Sequence, residues 1–120
     1  MPSDLLEFRA NSRGFGDIIA LGASTQTLLT QVPHHLVLDH LYIHGDPALG
    51  QKRGLALHSG ATWVTDSYIA DMKGVGMDTQ AINGYNGPGP YTIVNNYLEA
   101  AGENFMLGGA SPKKIGRAHV

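Results

Sequence analysis

Cysteine is absent from the 120 residues, which removes disulfide frameworks and thiolate metal sites and leaves the redox compartment unread. Charge is sparse as well. Charged residues make up 15% of the chain at a formal net charge of -2, with no basic run or face to follow a phosphate backbone, which argues against a nucleic-acid partner. No apolar stretch approaches the roughly 20 residues of a membrane helix. The segment Met1 to Ala10 lacks the basic start and apolar middle of a secretory signal. Helical periodicity is missing too, since no segment of about 10 to 12 residues carries apolar positions at the 3.6-residue period. What is present is a hydrophobic content of 42%, enough for a folded domain, broken into short β-like runs bounded by Gly, Asn, Asp and Pro.

Those runs repeat about every 25 to 29 residues. Leu38-Asp39-His40-Leu41-Tyr42-Ile43, Val64-Thr65-Asp66-Ser67-Tyr68-Ile69 and Ile93-Val94-Asn95-Asn96-Tyr97-Leu98 are three copies of one unit. Between them runs a second column, Leu55-Ala56-Leu57, Gln80-Ala81-Ile82 and Phe105-Met106-Leu107, at steps of about 25. Self-similarity at fixed spacing means stacked coils. A leucine-rich repeat would need a leucine ladder and a convex helix or long turn. A β-sandwich would not make successive strands resemble one another. Asn and Asp tolerate left-handed backbone, so His40, Asp66 and Asn95 stand where each coil changes direction. Leu38, Val64 and Ile93, with Ile43, Ile69 and Leu98, are expected to point inward, stacked about 4.8 Å apart. The segment Gly84-Tyr85-Asn86-Gly87-Pro88-Gly89-Pro90 reads as a stiff insertion on the surface. The Leu55, Gln80 and Phe105 column reads as the third strand of each coil, with loops before it expected at 45–53, 70–78 and 99–103.

The strand, Asn/Asp turn, strand unit of Ile93-Val94-Asn95-Asn96-Tyr97-Leu98 resembles the right-handed parallel β-helix of the pectate-lyase-like superfamily, over roughly Leu28 to Ser111. The resemblance implies an all-β, right-handed, single-stranded parallel β-helix of about three to four coils. Residues 1–27 are then an irregular N-terminal segment or an earlier coil, and 28–113 are the coils. Lys114-Ile115-Gly116-Arg117-Ala118-His119-Val120 looks like a translated sequencing adapter, so 114–120 is read as a non-native tail. The expectation is a fragment of a longer, secreted bacterial protein, with further coils beyond it.

Arg53, Asp78 and Glu103 recur at steps of about 25 and form the leading candidate catalytic column. Close carboxylates can split their pKa values into an acid and a base or nucleophile, and an arginine beside them can hold an anionic sugar. The same column can equally be an exposed ionic ladder of little energetic weight. His58 and Asn83, after the third strand, are candidate substrate contacts. So are Trp63 and Tyr85, whose rings sugars could stack against or which could pack under a loop. The histidines His34, His35, His40, His44 and His58 show no metal-binding helix spacing. No cofactor motif is evident; the one cation the acidic loops admit is calcium, through Asp46, Asp71 and Glu99, though without ordered ligand spacing. The tyrosine column Tyr42, Tyr68 and Tyr97 reads as structural stacking.

The resemblance implies polysaccharide recognition or processing outside the cell or at its surface. If catalytic, the chemistry is β-elimination on a uronate or acid/base hydrolysis. The alternative from another class is a non-catalytic β-helix with a surface, adhesion or structural role.

Overall fold

Asn and Asp at the corners and apolar runs between them build one layer after another. The computed structural model describes residues 5–10 and 16–109. Among them, β1 (Leu6–Arg9) and β2 (Asp17–Gly22) open the stack. Three coils follow: β3 (Leu36–Asp39), β4 (Leu41–His44) and β5 (Arg53–His58); β6 (Gly60–Thr65), β7 (Tyr68–Met72) and β8 (Gln80–Gly84); β9 (Gly89–Val94), β10 (Tyr97–Ala100) and β11 (Glu103–Leu107). Corresponding strands pair in parallel as three sheets, β1-β4-β7-β10, β2-β5-β8-β11 and β3-β6-β9. The chain is therefore an all-β parallel β-helix solenoid of about three coils. The adapter-like segment 114–120 lies outside the described residues.

The corner between the first two strands of each coil is set by its residue types. His40, Asp66 and Asn95 have φ of 56°, 51° and 56°, the left-handed region that short polar side chains enter at low cost. The turned backbone lets each corner bond to the layer above, His40 N–H to Thr65 O and Asp66 N–H to Val94 O, both at 3.2 Å. Behind this turn Asn96 spans two strands, accepting from Ser67 N–H at 2.9 Å and donating to Val64 O at 2.8 Å.

Inward positions stack as expected. Leu38 pairs with Val64 and Val64 with Ile93; Ile43 pairs with Ile69 and Ile69 with Leu98. Ile43, Leu55, Leu57, Val64, Ile69, Met72, Ala81 and Ile82 form the buried core, while Phe8, Ile19, Leu98 and Ile93 pack on it half-buried. Full burial of such a side chain contributes about 1.5–3 kcal/mol. It concentrates in the middle of the stack because those layers have neighbours on both sides.

Two expectations need correction. The third-strand column is not evenly stepped: Leu55 pairs with Ile82 and Ile82 with Phe105, while Arg53 pairs with Gln80 and Gln80 with Glu103. Strands β7 and β10 run on to Met72 and Ala100, leaving loops 45–52, 73–79 and 101–102 of unequal length, so equal steps in sequence miss the register. The segment 84–90 is not a surface insertion either. Asn86 is wholly buried, and a Cβ on Gly87 would stand 2.4 Å from Ser59 N, so the turn is pressed against the layer below.

Candidate functional site

On β8 the side chains of Ala81 and Ile82 enter the core, while Gln80 and Asn83 on either side of them face out. Their outer face carries two adjoining clefts. One, of about 270 Å³, is bordered by Lys52, Arg53, Asp78, Gln80, Asn83 and Tyr85. The other, of about 290 Å³, is bordered by Asp17, Ser24, Arg53, His58, Asn83 and Tyr85. Arg53, Asn83 and Tyr85 belong to both, so the clefts read as one trough running across the coils on the β2-β5-β8-β11 sheet.

Two of the charges in the trough, Arg53 and Asp17, are committed to each other. Arg53 Nε lies 2.5 Å from Asp17 Oδ1, a half-buried ion pair between partners placed side by side by the β2–β5 register. Gln80 Nε2 donates to Glu103 Oε1 at 2.9 Å. Gln80, not Asp78, is thus the residue that meets Glu103. Asp78 stands in the preceding loop, where its Oδ1 would come within 2.7 Å of a Cβ on Gly102.

His58 is nearly buried, and its Nδ1 accepts from the backbone N–H of Asn86 at 3.2 Å and of Tyr85 at 3.5 Å. A ring nitrogen that accepts carries no hydrogen, so this network assigns the proton to Nε2 and leaves His58 neutral. Burial holds its pKa below the ordinary 6.5, with Arg53 adding to the effect and Asp17 opposing it. The Tyr85 ring meets the His58 ring edge to face, centroids 4.9 Å apart. Asn83 is 6% exposed, and its Oδ1 is buried without a hydrogen-bond partner. An unpaired buried acceptor costs about 1–3 kcal/mol.

Beneath the trough a cluster of amides fastens the same corner in three successive layers. Gln26 Nε2 donates to Asn86 O at 2.9 Å and to His58 O, and Asn86 Nδ2 donates to Ala23 O at 3.0 Å and Gln26 O at 3.2 Å.

Comparisons with protein-family models, with curated proteins and with solved structures return no match. The β-helix accordingly rests on strand register, and the trough must be read from its own chemistry.

The structure brings Arg53, Asp78, Asn83, His58 and Tyr85 to one trough and leaves Glu103 at its side, bonded to Gln80. Trp63 is elsewhere. It is half-exposed on β6, paired with Val37 and Thr92 on another sheet. Asp17, Gln80, Gln26 and Asn86 were not singled out from sequence. Asp17 could have been found by aligning Asp17-Ile18-Ile19-Ala20-Leu21 with Arg53 to Leu57, whereas the other three carry no local signal. Of the acids considered for calcium, Asp46 holds a local turn, its Oδ1 accepting from Ala48 and Leu49 N–H at 2.7 and 2.8 Å, and Glu99 accepts across neighbouring coils from Asp71 N–H at 3.3 Å. Asp39, His40 and Asp66 gather ligand-type atoms within 4.8 Å, all exposed, with Asp39 held by His40 at 2.9 Å and by Thr65 Oγ1 at 2.8 Å. These bonds lower the Asp39 pKa, His40 first and Thr65 second. The tyrosine column stacks on the outer face of β4-β7-β10, with Tyr68 and Tyr97 rings 4.3 Å apart and nearly parallel.

Proposed function

We propose that this chain is a polysaccharide-recognition β-helix that works outside the cell or at its surface and binds an extended sugar chain along the trough over β5 and β8. The observation that carries the reading is the trough itself, which crosses successive coils and sets Tyr85 beside the polar residues Arg53, His58 and Asn83. Repeating layers suit a repeating ligand because each coil presents its side chains about 4.8 Å further along. Concave sites that pair an aromatic surface with a few fixed polar groups are the general form of small-molecule and sugar sites. Polysaccharide processing is the second reading, favoured by Asp78 and Arg53 bordering one cleft.

Affinity electrophoresis through gels containing a panel of neutral and acidic polysaccharides tests both. At least one polymer is expected to retard the chain, with retardation reduced by Tyr85→Ala and unchanged by Trp63→Ala on the other sheet. Retardation by no polymer, or equal loss in both variants, overturns the reading. Release of oligosaccharide products that stops in Asp78→Asn would move it from recognition to processing.

A further inference from the structure

We propose that the outer face of the β3-β6-β9 sheet is an interface for a second copy of this chain, packed face to face about a two-fold axis with the strands of the two sheets antiparallel. The trough is on another sheet, so this pairing leaves it open. Strand register sets what the face presents. Leu38, Val64 and Ile93 point into the coil, and the residues on either side of them point out. Val37, Trp63 and Thr92 form one outward row across the coils, and Asp39, Thr65 and Val94 form the next. Val37 is 67% exposed and Trp63 39%, while Asp39 is the one carboxylate in the two rows. Apolar side chains gathered on one exposed face, rather than scattered singly, mark an interaction surface.

The two ends of this face are complementary. At the start of the strands Gly60 pairs with Gly89, so the floor there lacks side chains. A groove of about 530 Å³ opens at that end, bordered by Leu29, Val32, Ala61 and Pro88 with His34 and His35 beside them. At the far end stand Asp39 and Val94, the latter 53% exposed. A two-fold axis along the Val37-Trp63-Thr92 row lays each residue of that row over its own copy and reverses the strands. Asp39 of one copy then meets His35 of the other, and Val94 meets Pro90 beside the groove. An imidazole brings an N–H to a carboxylate that stays ionised, because His40 first and Thr65 second hold the Asp39 pKa down. With the strands parallel instead, Asp39 would lie over Val94 and the groove would face itself, so charge and shape both select the antiparallel pair. Strands of six residues, three abreast, give a face of about 20 by 14 Å. That is small beside the roughly 800 Å² per partner of a standard interface, so the pair is a weak one, with dissociation expected at about 100 µM.

Sedimentation equilibrium of the full chain from about 10 µM to about 1 mM tests this, in a Phe105→Lys background that charges the open edge of β11. The expected species is a dimer with nothing larger, because a two-fold contact closes on itself. Val37→Glu sets a carboxylate against its own copy on the axis and is expected to weaken the dimer about tenfold. The side chain at this position points to solvent in the single chain, so the fold is retained. Asp39→Lys is expected to weaken the dimer as well, and His35→Glu combined with Asp39→Lys to restore it by exchanging the charges, which a local effect of either change would not do. A monomer throughout in this background, or a dimer that Val37→Glu leaves unchanged, overturns the proposal. A dimer that Val37→Glu weakens but the charge exchange does not restore overturns the antiparallel register.

Discussion

His58 is the residue whose state most directly couples the trough to solution conditions. Its Nδ1 accepts from the backbone of Tyr85 and Asn86, and burial, with Arg53 and against Asp17, places its folded pKa below 6.5. An unfolded chain then binds more protons than the folded one between the folded value and 6.5, so stability rises with pH across that window. The contribution is complete above about pH 6.5 and is lost as pH falls toward the folded value. Thermal melts at about pH 7.5 and about pH 5.5 should show a drop on acidification that is smaller in His58→Gln, whose amide oxygen can still accept from the loop. An identical drop in both proteins would remove His58 from the acid response.

Elements differ in how much each layer depends on its neighbours. Ile69 on β7 is fully buried between Ile43 and Leu98, whereas Leu98 on β10 has a paired strand on only one side among the described residues. Ile69→Ala should cost about 2–5 kcal/mol, and Leu98→Ala clearly less because its surroundings are partly solvent already. Urea unfolding of the two variants checks the order, and equal losses would contradict a core centred on the middle layer. The same elements explain what could be read in the sequence. The first and second strands of each coil flank a corner of constant size, so Leu38, Val64 and Ile93 and the three tyrosines align by inspection and do pair. The third strand follows loops of different length, and there equal spacing placed Asp78 where Gln80 stands. The trough was legible only in part. His58, Asn83, Tyr85, Arg53 and Asp78 sit close to one another in strands and turns, whereas the burial of Asn86 depends on Gln26, 60 residues away, which no local pattern reveals.

The whole molecule is a stack whose last described layer, β9-β10-β11, ends all three sheets. Val94, Tyr97, Phe105 and Leu107 are between 41% and 53% exposed there. An open strand edge beside apolar side chains is a template for pairing with another chain. The 120-residue chain should therefore associate as its concentration rises, and Phe105→Lys should reduce that association. Light scattering across a concentration series measures it, and a monomer at every concentration would show the terminal layer to be covered.

The amide cluster beneath the trough changes what kind of object this stack is. In a simple solenoid each layer touches only the next, so the ends can fray one layer at a time. Gln26, however, reaches from the opening layer past His58 to Asn86 two layers on, and Asn86 reaches back to Ala23. These bonds act as a rivet through three plates: peeling that starts at the C-terminal end proceeds easily as far as residue 86, and beyond it the remaining layers give way together.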